Sequence, residues 1–224
     1  MTLERLADEL WCARSPLRFL GAQMGTRMTV VRLPGDKLWL HSPLAIDDGL
    51  RSEIDGLGEV AHVVAPSLYH HLFAGQWKQA YPAAMLWGAP ALPAKRKDLT
   101  FDALLGDHAE PAWAESIDQT PLRGCMFGEV VFFHRGSRTL VTSDLLENFT
   151  SSPHWYTRTY LKLAGIHGRP GVSRLLRPIY RDHAAVRASL ERMLAWDFER
   201  IVLAHGEPIE RDARDVLVAA YAWL

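Results

Sequence analysis

Apolar residues in the first part of the chain occur in short bursts that turn residues separate. The bursts LWCA, MTVVRL and KLWLH begin at Leu10, Met28 and Lys37, and a Pro-Gly-Asp turn at 34–36 separates the last two. Short apolar runs bounded by Gly and Pro are typical of strands. The pattern predicts a meander of two or three strands with a hairpin at Gly35.

Helical spacing of the apolar residues follows, and then strands and helices alternate. The segment IDDGLRSEIDGLG is predicted as an amphipathic helix, and Asp47 and Asp48 suit its positive N-terminal end. Further strands are predicted in EVAHVVAPS, AMLWGAP, SIDQTPLRG, EVVFFH, RTLVTS and RIVLAHG. Further helices are predicted in HHLFAGQWKQAYP, in the region after Asp144, in HAAVRASLERMLAWDF and in RDARDVLVAAYAWL. This order predicts one α/β domain over residues 1–224, with two packed sheets and helices outside.

Composition and charge narrow the class of protein. The chain has 224 residues, 48% of them hydrophobic, which is enough for a large core and excludes bulk disorder. Its 25 basic and 26 acidic residues create no overall field for nucleic acid or an anionic membrane, so we expect neither partner. Cys12 and Cys125 are too few for a disulfide framework, although a single bridge remains open. With no secretory-like start and no membrane-length apolar run, we expect a cytoplasmic protein.

Three apolar strands each deliver polar side chains to the loop that follows. These side chains are His70 with His71, Asp144, and His205. Neutral imidazoles suit zinc or iron, and a carboxylate offsets the charge of the cation, so the set predicts a metal site. Each residue also has an ordinary alternative. The histidine pair fits a solvated helix N-terminus, Asp144 fits a helix N-cap with Glu147 completing a capping box, and His205 fits a turn.

The order of these stretches resembles the metallo-β-lactamase superfamily from about Thr29 to the C-terminal helix. The sequence is most similar to an uncharacterised branch known as domain of unknown function 4336. When His70 and His71 are laid on the last pair of the superfamily's H-x-H-x-D-H loop, Pro66 and Leu68 occupy the positions of its first two histidines. The resemblance implies a four-layer αββα sandwich, with two mixed sheets and helices on the outer faces.

The remaining superfamily motifs are also present in this chain, with one departure. GCMFGEVVFFH resembles the G-H-x-x-G loop, with Cys125 in place of its histidine, and Asp144 and His205 match the bridging aspartate and the last histidine. Pro66, Leu68 and Cys125 therefore stand where the first of two metals is bound in the superfamily. The second set retains a donor at every position. The resemblance implies one divalent metal ion, zinc or else iron, on His70, His71, Asp144 and His205, with Asp144 and His70 as candidate catalytic residues.

A second register of the histidine loop is also open. It places Ser67 and Tyr69 at the two loop positions and His71 at the aspartate, and it too removes the first metal site. Four protein ligands close a tetrahedral zinc site, so catalysis requires five-coordination or one ligand that stands back. Iron offers another route, because two histidines and a carboxylate with open positions form its oxygenase site.

Three classes of function follow from these observations. The first is a metallohydrolase-like protein with a degenerate site, acting on a small ester, thioester or phosphoester substrate. The alternative is a metal-free, inactive sandwich that acts as a binding or interaction protein. Nucleic-acid binding is least favoured, because the chain is close to neutral. The basic segment Arg169–Arg181 is either a contact for an anionic substrate or a solvated face.

Overall fold

The computed structural model describes residues 1–224, and the first half of the chain forms a seven-stranded mixed sheet. In spatial order its strands are β1 (Glu4–Ala7), β2 (Leu10–Ser15), β5 (Thr26–Leu33), β6 (Lys37–His41), β7 (Glu59–Ala65), β8 (Met85–Gly88) and β9 (Ala103–Leu104). Strands β1, β2, β5 and β6 pair antiparallel, and β6 to β9 pair parallel. A separate two-stranded ribbon, β3 (Arg18–Phe19) and β4 (Ala22–Gln23), lies between β2 and β5 in the chain.

The second half forms a four-stranded mixed sheet. Its strands, in order, are β10 (Ile117–Pro121), β11 (Val130–His134), β12 (Thr139–Val141) and β13 (Arg200–Val202). The first three pair antiparallel, whereas β12 and β13 pair parallel. Because parallel neighbours end at the same edge of a sheet, the loops after β12 and β13 lie side by side.

Six α-helices accompany the sheets. They are α1 (Asp48–Leu57), α2 (Ala74–Ala80), α3 (Leu92–Lys95), α4 (Trp155–Ala164), α5 (His183–Leu194) and α6 (Ala213–Ala220). No helix combines the length and the apolar character that crossing a bilayer requires. A short 3-10 turn at Arg177–Ile179 lies within the basic segment, so that segment does not form one continuous helix face.

Three apolar layers hold the sheets and helices together. Strand β6 contributes to two of them because successive strand residues point to opposite faces. Trp39 packs between the sheets, where its ring centroid lies 4.8 Å from that of Phe132. Leu38 and Leu40 pack instead with the first sheet's outer helices, and a third cluster joins the second sheet to α5 and α6. This layering confirms the four-layer αββα sandwich with helices on the outer faces.

Local structure agrees with the sequence pattern at most points and differs at two. The hairpin at Gly35 is present, with a glycine φ of +75°, and Asp47 caps α1 by accepting from Leu50 N. The helix predicted at the histidine pair begins only at Ala74, which leaves both histidines in the preceding turn. The region directly after Asp144 is not helical, because α4 begins at Trp155. The capping-box interpretation of Asp144 is therefore wrong.

Candidate metal centre

Three of the four predicted ligands meet at one edge of the sandwich. His70 lies in the turn after β7, Asp144 follows β12, and His205 follows β13. One donor atom from each of these residues lies within 4.8 Å of the others. Asp144 Oδ1 is 3.3 Å from Nε2 of His70 and 3.3 Å from Nε2 of His205. The carboxylate thus stands between two imidazoles, and all three side chains are largely shielded from solvent.

Neighbouring groups orient both imidazoles toward Asp144. His205 Nδ1 lies 2.7 Å from the carbonyl oxygen of Gly25. A carbonyl only accepts, so Nδ1 carries a proton and donates to it, and Nε2 is the ring nitrogen that faces Asp144. His70 Nδ1 is likewise engaged, at 2.7 Å from Ser42 Oγ. Metal-binding histidines commonly have such a hydrogen bond on the second ring nitrogen, since it sets the tautomer and the ring orientation.

The electrostatics of the cluster favour a positive charge between these donors. Burial alone raises the pKa of the Asp144 carboxyl, but the charge of His70 and the hydrogen bonds from both imidazoles outweigh it and bring the pKa below its usual value. Burial alone lowers the pKa of His205, but the hydrogen bond and charge of Asp144 outweigh it and raise the pKa. Asp144 Oδ2 is buried and has no hydrogen-bond partner. A proton or a metal cation would satisfy these groups.

The donor set fits a catalytic metal better than a structural one. Two imidazole nitrogens and one carboxylate oxygen are ligands that zinc and iron accept. Catalytic zinc sites characteristically have three protein ligands and leave a position open, whereas structural sites have four. A zinc ion held by His70, Asp144 and His205 alone would keep one tetrahedral position free.

His71, the fourth predicted ligand, does not join this cluster. Its Nδ1 accepts a hydrogen bond from the Arg96 guanidinium at 2.9 Å, so that lone pair is already used. Burial lowers the pKa of His71, and the positive charges of Lys95 and Arg96 lower it further. These cations also oppose a metal ion at the imidazole. The structure therefore brings together three of the four predicted ligands, and the imidazole of His71 lies outside their cluster.

The positions assigned to a first metal carry no convergent donors. The Pro66 carbonyl accepts from Val130 N, and Leu68 N donates to Phe127 O, so the backbone of this loop is tied to the strand β11 region. Cys125 packs against the apolar cluster of the second sheet, and burial raises the pKa of its thiol to about 11. In the second register, Ser67 Oγ accepts from His70 N within the turn, and Tyr69 is exposed. Neither register assembles a first site, and both cysteines are free.

Glu129 holds the backbone at Asp144 in place through buried hydrogen bonds. This fully buried carboxyl group accepts from Ser143 N at 2.5 Å and from Asp144 N at 3.0 Å. Burial, together with the nearby Asp144 charge, raises the pKa of Glu129 to about 8. Its only signal in the sequence is a charged residue between the GCMFG loop and the apolar run VVFF. Sequence reasoning did not identify Glu129 as part of the site.

Glu147 is a second buried carboxyl at the site. It lines a cavity of about 360 Å³ together with His70, Asp144 and His205. Its Oε2 is buried without a hydrogen-bond partner, and burial raises the pKa of the side chain to about 7. Paired backbone hydrogen bonds with Gly171 hold the residue in place. The sequence signalled Glu147 only as half of a capping box, which is not its role in the structure.

Removing the Glu129 carboxyl group is expected to destabilise the fold. Glu129→Met keeps an unbranched side chain but leaves the amides of Ser143 and Asp144 without acceptors, and an orphaned buried donor costs about 1–3 kcal/mol. Urea unfolding measures the change. Glu147→Met is the matched control, because it also removes a buried carboxyl but orphans no amide, and it should not lower stability. Equal losses in the two variants would contradict the positioning role.

Comparisons with known proteins agree with this architecture. A family model described as "Domain of unknown function (DUF4336)" matches residues 7–164. The sequence matches none of the curated proteins. Among solved structures, a metallo-β-lactamase from Pontibacter korlensis superposes with a TM-score of 0.69 at 10% identity, covering 99% of this chain and 98% of that one. A metallo-β-lactamase from Erythrobacter litoralis gives a TM-score of 0.68 at 14% identity, covering 99% and 96%.

A third similar structure comes from a different kind of protein. The metal-soaked Flv1 flavodiiron core from Synechocystis superposes with a TM-score of 0.69 at 15% identity, covering 99% of this chain and 60% of that one. At such low identities these matches establish the fold and leave the chemistry to the side chains themselves.

Proposed function

Since the chain belongs to the family of domain of unknown function 4336 and has the metallo-β-lactamase fold, we propose that it is a mononuclear metallohydrolase of a small ester, thioester or phosphoester. The observation that carries the proposal is the three-donor cluster of His70, Asp144 and His205, which leaves one coordination position open. A bound zinc ion supplies Lewis acidity, which polarises a carbonyl or phosphoryl oxygen and activates water at neutral pH.

The residues around the cluster have separable roles in this proposal. Both imidazoles and the Asp144 carboxylate hold the cation, and Asp144 offsets part of its charge. Glu129 holds the Asp144 backbone, while Gly25 and Ser42 orient the imidazoles. These supporting contacts preserve the geometry on which both binding and catalysis depend.

Glu147 is the candidate general base. In the superfamily's H-x-H-x-D-H loop, the position of the aspartate is occupied here by His70, so this loop provides no carboxylate. Glu147 places a carboxyl in the same cavity, and its Oε2 has no other partner. We assign the proton of the attacking water to the Glu147 carboxylate, and the protonated carboxyl then returns it to the leaving group.

The cavity walls favour a small organic substrate. Apolar side chains line much of the cavity, among them Phe19, Leu44, Leu72, Phe73, Phe127 and Ile179. A volume of about 360 Å³ is within the range of small-molecule sites. An apolar acyl or alkyl group is therefore suited to this pocket, with the scissile bond directed toward His70 and His205.

Metal analysis of untagged protein purified without chelator tests the proposal. We expect about one zinc or iron per chain by mass spectrometry, and the identity of the metal distinguishes a hydrolase from an iron enzyme. Chelation should abolish hydrolysis of p-nitrophenyl acetate, S-phenyl thioacetate or bis-p-nitrophenyl phosphate, and zinc should restore it. A protein that neither retains metal nor binds added zinc in equilibrium dialysis would overturn the proposal and favour a metal-free binding protein.

A further inference from the structure

A second cavity, of about 450 Å³, lies beside the metal centre and has a different lining. Three arginines line it, together with a single acidic residue, Glu207. They are Arg14, Arg18 and Arg27. Arg14 Nη1 lies 2.8 Å from a carboxylate oxygen of Glu207, and Arg14 Nη2 lies 3.7 Å from a carboxylate oxygen of Glu4, so both acids are paired with Arg14. Arg18 and Arg27 form no ion pair, so the lining of the cavity keeps a net positive charge.

Arg27 is a buried cation without a counter-ion. Its side chain is 2% exposed, and its guanidinium donates to the carbonyl oxygens of Leu203 and Gly206 while Nε has no partner. Neighbouring Cys12 does not neutralise it, because burial raises the pKa of that thiol. Buried charges are normally paired, so an uncompensated guanidinium at a cavity wall attracts an anion.

Arg18 connects this cavity to the metal centre. It is exposed on strand β3, forms no ion pair in the structure, and lines both cavities. Leu17, Met24 and Thr26 also line both. A molecule in the groove can therefore present one end to His70 and His205 and the other end to the arginines.

We propose that the cavity lined by Arg14, Arg18 and Arg27 binds an anionic group of the substrate, a carboxylate or a phosphate, while the scissile bond lies at the metal centre. Arg18 contacts the anion directly, because its guanidinium has no other partner. Arg27 is tied to backbone carbonyls and attracts the anion through its positive charge. Planar guanidinium groups match the oxygens of both anions. The inference rests on the proposed function and narrows its substrate to a small hydrolysable compound with an anionic arm.

The first test measures anion binding without catalysis. Inorganic phosphate is titrated calorimetrically into the full-length, chelator-treated protein, so that metal does not contribute. We expect saturable binding that Arg18→Gln weakens by about tenfold or more, the equivalent of a lost charged hydrogen bond. Arg187→Gln makes the same charge change on an exposed residue of helix α5 and should leave binding unaltered. No saturable binding, or equal affinity in the two variants, would refute the anion site.

A second test separates this inference from the proposed function. Zinc-loaded protein is assayed with phenyl acetate and with the monophenyl ester of succinate, which adds a carboxylate arm. We expect the anionic ester to have the lower KM, and Arg18→Gln to remove that advantage with little change in kcat. If both esters are hydrolysed with equal KM values, the anionic-arm inference is refuted and the proposed hydrolase function still stands. If the protein binds phosphate through Arg18 but never binds metal, the anion site is supported and the proposed hydrolase function is refuted.

Discussion

Asp144→Asn is expected to weaken zinc binding by more than about 100-fold and to abolish metal-dependent hydrolysis. The effect should exceed the roughly 10- to 100-fold range typical of supporting residues, because the substitution changes a ligand itself. The amide retains the shape of the side chain but loses the negative charge that lies 3.3 Å from both His70 Nε2 and His205 Nε2. Competition with a chromogenic zinc chelator measures the dissociation constants of the purified proteins.

His71→Ala is the matched control for the Asp144 substitution. Its imidazole is adjacent to a predicted ligand in the chain but is hydrogen-bonded to Arg96. We expect its zinc affinity to stay within a few-fold of that of the unaltered protein, while His205→Ala behaves like the Asp144 variant. A loss of zinc binding in the His71 variant as large as in the His205 variant would restore the four-ligand arrangement and contradict the open site.

Glu147→Gln is expected to lower kcat by about 10²- to 10⁴-fold, the usual contribution of a general base, without changing zinc content. The amide has nearly the same size and shape as the carboxyl group in the cavity but cannot take up the proton of the water. Stopped-time assays of ester hydrolysis at saturating substrate measure kcat, and mass spectrometry of the same samples measures zinc.

Two comparisons make the Glu147 result specific. Glu147→Asp retains a carboxylate on a shorter side chain, so it should recover part of the activity that the amide loses. Glu207→Gln changes a carboxylate of the neighbouring cavity and should leave kcat largely intact. Unchanged kcat in Glu147→Gln would assign the base role to another group, and loss of zinc in that variant would make Glu147 a fourth ligand.

Local patterns along the chain predicted most of the elements that build the scaffold. Strand β6 could be recognised because its residues are buried on both faces, which requires a nearly continuous apolar run. Helix α1 could be recognised from its apolar spacing and its cap at Asp47. The region after Asp144 was wrongly predicted as helical, because Asp-x-x-Glu is also a helix-start pattern. Its backbone instead forms hydrogen bonds with residues that are distant in the chain.

The candidate site was predicted only in part, for the same reason. His70, Asp144 and His205 share a recognisable position, each in the loop after a strand. His71 has the same position in the sequence as its neighbour, but adjacent side chains in a turn point in different directions. Its imidazole meets Arg96, which is 25 residues away in the chain. Glu129 belongs to no motif and Glu147 only to a capping box that the structure lacks, and the importance of both arises from burial.

The sequence by itself determined the sandwich and the three strand ends at which polar side chains appear. These features depend on periodicity and on strand boundaries, which are local properties of the chain. Only the tertiary structure decided which donor atoms converge, that Arg96 binds the His71 imidazole, and which buried carboxyl groups lie close to Asp144. Convergence depends on long-range packing, where shifts of a few ångströms decide between a metal ligand and an ordinary hydrogen bond.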